Sequence, residues 1–256
     1  MQIAFRNKVV IVTGGGHGFG RAISHAFAAR GARVWTCDVN AAGLAETKAT
    51  AKPADGGAVE VATVDVGDHG AVKSFVDGIV KAAGTVDILV NNAGGVRGQV
   101  GQPIENVTPR QWQDIFDVNV TGAFNFSQAV VPAMKRAKAG RIVTISSGAG
   151  LGVSLTGIQA YASAKAASIG LTRQLAHELG PFGITVNCIA PGFIRSNPST
   201  EKQWESYGPE GQRALMERIA LRRPGSPDDI AHAVMFFASD FAGWVSGQVL
   251  SVDGGK

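Results

Sequence analysis

Seven short apolar runs recur along the chain, and longer segments with apolar residues at helical spacing separate them. Most of the runs lack the polar alternation of a strand with one wet face, so they predict strands that are covered on both sides. The predicted strands are Val9–Val12, Arg33–Cys37, Val59–Val64, Val86–Val90, Arg141–Ile145, Thr185–Ile189 and Gln248–Val252.

The intervening segments carry helix signals. Thr108 before Pro109 and Ser226 before Pro227 are typical of an N-cap followed by proline at the first helical position. Helices are predicted within Arg21–Arg30, Gln111–Ala137 and Gln159–Leu179 and after Ser226. Strand–helix alternation from end to end predicts an α/β fold: one Rossmann-type, doubly wound parallel sheet with helices on both faces, forming a single domain over residues 1–256.

One segment does not follow this alternation. Residues 193–224 are rich in Ser, Pro, Gly and charge, and they are too long for an ordinary connection. We therefore predict an irregular substrate loop or lid there. Its Trp204 and Tyr207 either line a substrate pocket or pack the lid on the body of the protein.

Composition narrows the possible partners. The 24 Lys and Arg against 20 Asp and Glu give a net charge of +4 with no basic run, so we expect neither nucleic acid nor a membrane surface as partner. Polar residues interrupt the uncharged stretch 142–164, which argues against a membrane span. The five histidines lack metal-ligand spacing, so no metal site is expected. Cys37 and Cys188 lie in apolar runs, which predicts core thiols and a cytoplasmic location.

A glycine-rich turn follows the first predicted strand. Gly14, Gly18 and Gly20, with His17 and Phe19 between them, would let the backbone approach a pyrophosphate at the N-terminus of the next helix.

An acidic residue ends the second predicted strand. Asp38 lies where a carboxylate would accept hydrogen bonds from the adenosine ribose hydroxyls, although it could instead cap the next helix. A carboxylate repels a 2′-phosphate, no Arg or Lys directly follows Asp38, and the mostly neutral His17 attracts phosphate only weakly. We therefore predict NAD(H) rather than NADP(H).

Tyr161 and Lys165 lie four residues apart, on one face of a predicted helix. A tyrosine with its ordinary pKa near 10 is a poor base at pH 7, but a neighbouring ammonium favours the phenolate. Ser146 and Ser147 lie just upstream, at the end of a predicted strand.

Over essentially its whole length the chain resembles a classical short-chain dehydrogenase/reductase. The matching residues, in family order, are Thr13, Gly14, Gly18, Gly20, Asp38, Asp65, Val66, Asn91, Asn92, Ala93, Gly94, Asn119, Ser147, Tyr161, Lys165, Pro191 and Gly192. The gap from Ser147 to Tyr161 is one residue longer than the family commonly has, so Ser146 remains an alternative to Ser147.

The resemblance implies a role for each residue. Tyr161 would be the acid/base and Ser147 would bind the substrate oxygen. Lys165 would bind the nicotinamide ribose and lower the pKa of Tyr161, and Asn119 would hold a water that links Lys165 to solvent. Further nucleotide contacts would come from the glycine turn and from Asp65, Val66, Asn92, Ala93, Gly94, Pro191, Gly192, Ile194 and Ser196. Ser196 stands where the family often has Thr.

The expected activity is an NAD(H)-dependent interconversion of a small-molecule secondary alcohol, polyol or hydroxy compound and its ketone. The alternatives are an NADPH-dependent 3-oxoacyl-thioester (acyl carrier protein) reductase and a dinucleotide-binding redox sensor without chemistry. The complete catalytic set favours an enzyme. The resemblance also implies a homotetramer, and apolar residues on more than one face of the helices predicted over 111–137 and 159–179 support it.

Overall fold

The structure, a computed structural model, describes residues 3–256. Its strands are β1 (Val9–Thr13), β2 (Arg33–Asp38), β3 (Ala58–Thr63), β4 (Ile88–Asn91), β5 (Gly140–Ile145), β6 (Ile184–Pro191) and β7 (Val249–Val252). Its α-helices are α1 (Gly18–Ala28), α2 (Ala41–Thr50), α3 (His69–Ala83), α4 (Pro109–Phe116), α5 (Gly122–Ala137), α6 (Gln159–Leu179), α7 (Pro198–Ser206), α8 (Gly208–Arg218) and α9 (Pro227–Ala238).

All seven strands pair in parallel, in the order β3-β2-β1-β4-β5-β6-β7. Helices α1 and α9 contribute Phe27 and Phe237 to an apolar cluster on one face, while α3 and α5 contribute Val76 and Phe126 to a cluster on the other. The predicted fold class is therefore confirmed. Strands β1, β4 and β6 are buried throughout, whereas β3 and β7 are partly exposed because they form the edges of the sheet.

The chain order reverses between two neighbouring strands. From β1 the chain moves outward to β2 and β3, and from β4 it moves outward on the other side to β5, β6 and β7. Connections therefore diverge from the carboxyl ends of β1 and β4. In open parallel sheets this divergence leaves a crevice in which ligands bind.

Both predicted helix starts are confirmed as capping boxes. The hydroxyl of Thr108 accepts from the backbone N–H of Gln111 at 3.2 Å, and that of Ser226 accepts from Asp229 at 3.3 Å. Each helix also has proline in its first turn. A hydrogen bond from Arg223 and one from the backbone N–H of Ser226 lower the pKa of Asp229 to about 2, so this carboxylate caps α9 in its charged form.

The predicted single helix over 111–137 is wrong in one respect. The helical segment starts at Pro109, and a π turn over Asp117–Thr121 divides it into α4 and α5. Within this turn, the side-chain amide of Asn119 donates to the carbonyl of Ile115 at 2.8 Å and competes there with the regular backbone pattern. Such π turns occur frequently at functional sites.

The prediction of an irregular loop over 193–224 is also wrong in part, because the segment contains α7 and α8. Asn197 caps α7, and proline occupies the first turn of both helices. Leu215 is the one buried residue within these two helices, so their sequences lack the apolar stripe that identifies a helix. Trp204 and Tyr207 pack against Phe193, with ring centroids 6.2 and 5.8 Å away, which supports the packing alternative.

Candidate active site

A cavity of about 910 Å³ opens at the carboxyl edge of the sheet. Most of the predicted site residues line it, together with residues of the helical segment that includes α7. The predicted site residues in the cavity wall are Gly14, His17, Gly18, Phe19, Asp38, Asp65, Val66, Asn92, Ala93, Gly94, Ser147, Tyr161, Lys165, Pro191, Gly192, Ile194 and Ser196. Gly20 and Asn119 are buried beside the cavity rather than in its wall.

The glycine turn is packed too closely for side chains. A Cβ on Gly14 would lie 2.8 Å from the Cα of Ala93, and one on Gly18 would lie 2.8 Å from the carbonyl oxygen of Ser196. A Cβ on Gly20 would collide with the carbonyl of Gly14. Gly14 and Gly18 also adopt φ values of +71° and +55°, which favour glycine. The turn, followed by the N-terminus of α1, has the form that a pyrophosphate requires.

Thr13 joins the ends of β1 and β4. Its hydroxyl oxygen accepts from the backbone N–H groups of Asn92 and Ala93, at 3.0 and 2.9 Å. The amide of Asn92 donates back to the carbonyl of Thr13 at 2.8 Å. These bonds hold the glycine turn and the 92–94 segment in one arrangement.

Asp38 supports the glycine turn from the side. One carboxylate oxygen accepts from the backbone N–H of Gly16 and the other from that of Asn40, each at 2.9 Å. The cap of α2 is Asn40, so the alternative interpretation of Asp38 as a helix cap is wrong. A carboxylate has about four acceptor positions, which leaves capacity for ligand hydroxyls.

Arg21, which the sequence analysis did not identify, also stabilises the glycine turn. Its guanidinium donates to the carbonyl of Gly16 at 2.7 Å and to the hydroxyl of Thr47 at 2.9 Å. Thr47 in turn donates to the carbonyl of Gly15 at 2.7 Å. Arg21 directly follows the glycine motif in sequence, but its partners on α2 become visible only in the fold.

At the other end of the cavity, Ser147 and Tyr161 both line the wall, and the Ser147 hydroxyl is near enough to the phenol to influence its pKa. Ser146 is buried, and its hydroxyl donates instead to the carbonyl of Lys165 at 2.8 Å. The geometry therefore places Ser147 beside the phenol and uses Ser146 to hold α6 against β5.

Burial changes the protonation equilibria of both Tyr161 and Lys165. Desolvation raises the pKa of Tyr161, and the neighbouring Ser147 hydroxyl opposes this only in part. Burial also lowers the pKa of Lys165 to about 8. The Lys165 ammonium donates to the carbonyl of Ile145 at 3.0 Å and lies 5.7 Å from the Tyr161 ring centroid. The expected lowering of the Tyr161 pKa is thus not seen, because desolvation outweighs the other effects.

Asn119 fixes the backbone next to Lys165. Its side-chain oxygen accepts from the N–H of Gly95 and its amide donates to the carbonyl of Gly95, both at 2.9 Å. A Cβ on the preceding Gly94 would lie 3.0 Å from the Lys165 Nζ. The Asn119 side chain is thus hydrogen-bonded to other residues of the protein. Its backbone carbonyl accepts one long hydrogen bond, 3.4 Å, from the Ser168 hydroxyl.

Residues 3–256 contain no group of three His, Cys, Asp or Glu side chains arranged to hold a metal ion. In that range no helix has both the length and the hydropathy needed to cross a membrane. Cys37 and Cys188 are buried free thiols.

Comparisons with known proteins agree with this geometry. The sequence model of a family described as enoyl-(acyl carrier protein) reductase matches residues 14–256. The chain is 39% identical to the (2S)-[(R)-hydroxy(phenyl)methyl]succinyl-CoA dehydrogenase subunit BbsD of Thauera aromatica, covering 99% of this chain and 98% of that protein. It is 37% identical to the 3-oxoacyl-[acyl-carrier-protein] reductase FabG of Thermotoga maritima, covering 97% of each.

A solved structure extends the comparison to three dimensions. A 7α-hydroxysteroid dehydrogenase in complex with NADH and 7-oxo glycochenodeoxycholic acid has a TM-score of 0.89 and 35% identity, covering 99% of this chain and 95% of that one. The chain therefore belongs to the short-chain dehydrogenase/reductase family and is an oxidoreductase that uses a nicotinamide dinucleotide.

The two neighbouring serines can be separated experimentally. Ser147→Ala should lower kcat for ketone reduction by about 100-fold or more, as loss of a donor to a developing oxyanion does. Ser146→Ala should keep most of the activity but lower the melting temperature, because it leaves the carbonyl of Lys165 without its buried partner. Steady-state kinetics and thermal unfolding of both variants provide the test. The reverse assignment of the two effects would contradict the structure.

Proposed function

We propose that this protein is an NAD(H)-dependent oxidoreductase that interconverts a secondary alcohol, polyol or related hydroxy compound and its ketone. One observation carries the proposal: Ser147 and Tyr161 lie in the same cavity as the glycine turn and Asp38. Proton transfer and nucleotide binding can therefore occur side by side.

The residues present fit the dinucleotide. The turn from Gly14 to Gly20 would hold its pyrophosphate and Asp38 the adenosine ribose, with Asp65 and Val66 toward the adenine. The segments 92–94 and 191–196 would line the remainder, with the backbone of Ile194 and the hydroxyl of Ser196 near the carboxamide. When bound, the nicotinamide supplies or accepts the hydride.

Tyr161 is the proton donor in reduction. Its raised pKa keeps the phenol protonated at neutral pH, and Ser147 would hold the carbonyl oxygen of the substrate beside it. The Lys165 ammonium would stabilise the phenolate that remains and bind the nicotinamide ribose. Asn119 positions the Gly94–Gly95 backbone against Lys165, and we propose that it also holds the water that returns a proton from solvent.

A second activity has support from the relatives. Reduction of a 3-oxoacyl thioester with NADPH is the alternative, since the Thermotoga maritima relative is named a 3-oxoacyl-[acyl-carrier-protein] reductase and the Thauera aromatica relative acts on a coenzyme A thioester. The charge of Asp38 beside the glycine turn favours NAD(H). The NADH complex of the hydroxysteroid dehydrogenase is consistent with that choice.

The proton-transfer role predicts a specific pH dependence. Alcohol oxidation needs the phenolate, so its kcat should rise with pH from 7 to about 8, above which the loss of the Lys165 charge opposes the gain. Ketone reduction needs the phenol, whose pKa is raised, so its rate should stay level near neutrality and fall above about pH 8 as Lys165 loses its charge.

The Tyr161→Phe variant removes the transferable proton. Its activity should fall by about 100-fold or more in both reaction directions, while NADH binding persists. A variant that keeps a tenth of the activity would refute the role of Tyr161.

The cofactor preference can be tested at Asp38. Asp38→Asn removes the charge but keeps one acceptor for the backbone, so it disturbs the glycine turn less than alanine would. The KM for NAD⁺ should rise and that for NADP⁺ should fall. Thermal unfolding serves as the control for damage to the turn. A native enzyme that already prefers NADPH would contradict the assignment.

We also propose that the protein is located in the cytoplasm, because its buried free thiols are consistent with a reducing compartment.

We propose in addition that the protein forms a homotetramer. Several large apolar side chains lie on the surface: Trp112 and Phe124 on α4 and α5 are 36% and 46% exposed, and Trp244 near β7 is fully exposed. Such surfaces are typical of subunit contacts. Sedimentation equilibrium at micromolar concentration should give about four times the 26.5 kDa monomer mass. A species of monomer mass would overturn this proposal.

A further inference from the structure

We infer that Arg97 selects substrates that carry an anionic group on an apolar body. The inference rests on the proposed function and adds the chemical class of the substrate. Arg97 lines the same cavity as Ser147 and Tyr161. Arg97 is three residues beyond Gly94, so the Cα atoms of Gly94 and Arg97 are at most about 11 Å apart. Gly94 lies close to the lysine of the site, since a Cβ added to it would lie 3.0 Å from Lys165 Nζ.

The segment that carries Arg97 is held in an unusual conformation. Arg97 itself has φ +52°, and Gly95 and Gly98 on either side have φ +140° and +74°. A left-handed conformation is uncommon for a residue other than glycine, and it persists only where the surroundings impose it.

The constraint comes from both sides of Arg97. Before it, Asn119 exchanges two hydrogen bonds with the backbone of Gly95. After it, the side chain of Gln99 donates to the carbonyl of Gln111 at 2.8 Å. The backbone of Arg97 is therefore tied to the turn that carries Asn119 and to helix α4.

The positive charge of Arg97 is not neutralised within the described chain. Across residues 3–256 its guanidinium has no ion-pair partner. The cavity-lining acids each accept from nearby backbone N–H groups instead: Asp38 from Gly16, Asp65 from Gly67 and Asp253 from Gly255.

The other cations in the cavity wall are less available or lie elsewhere. Lys165 is buried and donates to Ile145, and His17 belongs to the glycine turn at the nucleotide end. Lys256 also lines the cavity and is exposed, so it serves as the competing candidate in the experiment.

Apolar surface lies in the same cavity wall as Arg97. Leu151, Val153 and Leu155 are 51%, 100% and 47% exposed. Exposed apolar side chains in a cleft mark a ligand surface, and a few polar groups in such a cleft fix the orientation of the ligand. An apolar substrate body would contact these side chains while its anionic group pairs with the guanidinium.

Two kinds of anion share this chemistry. The planar guanidinium binds the carboxylate of a free keto acid and the phosphate of a coenzyme thioester with the same paired hydrogen bonds. The experiment therefore needs separate charged and neutral substrates for each source.

The test compares kcat/KM with NADH for 5-oxohexanoate against its ethyl ester, and for acetoacetyl-coenzyme A against acetoacetyl-N-acetylcysteamine. Arg97→Ala should lose about tenfold or more on the charged member of one pair and less than twofold on the neutral member. Arg97→Lys should recover part of the loss. Arg110→Ala, at an exposed arginine outside the cavity, should change neither.

The outcomes identify the anion or overturn the proposal. A selective loss on 5-oxohexanoate identifies a carboxylate, and one on acetoacetyl-coenzyme A identifies a thioester phosphate. Equal losses on charged and neutral members would show a structural role only. A selective loss in Lys256→Ala but not in Arg97→Ala would overturn the assignment.

Binding provides a readout that does not depend on turnover. The dissociation constants of octanoate, octanoyl-coenzyme A and octanol can be measured by tryptophan fluorescence on the native protein and Arg97→Ala. One of the two anions should bind about tenfold more weakly to the variant, with octanol unchanged. If no ketone is reduced, the proposed alcohol–ketone activity fails, and the binding result still decides the role of Arg97.

Discussion

The reversal of strand order between β1 and β4 is the constraint on which the site depends. Parallel strands bring their carboxyl ends to one edge of the sheet, and the reversal opens a crevice at that edge. Gly14, Asp38, Asn92, Ser147 and Pro191 lie at or just beyond the ends of five different strands. The hydrogen bonds of Thr13 hold the two sides of the crevice together. Residues far apart in sequence thus form one cavity.

Burial determines the acid–base properties of the catalytic end. A medium of low dielectric disfavours charge, so it raises the pKa of the Tyr161 phenol and lowers that of the Lys165 ammonium. The neighbouring Ser147 hydroxyl opposes the first effect. The π turn at Asn119 then fixes the backbone against which Lys165 lies. Protonation and position are therefore set by the same packing of α6 and the 94–95 segment on the sheet.

The comparisons show how much of this arrangement is general. Relatives at similar identity bear names that refer to a succinyl-coenzyme A compound, an acyl carrier protein thioester and a steroid. A shared fold therefore does not select the substrate. Besides the residues proposed to hold the nucleotide, the cavity wall includes the Arg97 segment, the apolar residues near Val153 and the helical segment with α7. Substrate choice is expected to reside in these parts.

The sequence alone was sufficient for the seven strands, the helix starts at Thr108 and Ser226, helix α6 and the family, because each depends on local periodicity or on short motifs. It did not reveal the π turn, helices α7 and α8, the partners of Arg21, or the position of Arg97 in the cavity wall. Nor did it predict that the Tyr161 pKa is raised. It favoured Ser147 over Ser146, but only the fold shows that the Ser146 hydroxyl is bonded to the carbonyl of Lys165. These features depend on contacts between residues distant in sequence and on burial, so only the tertiary structure decided them.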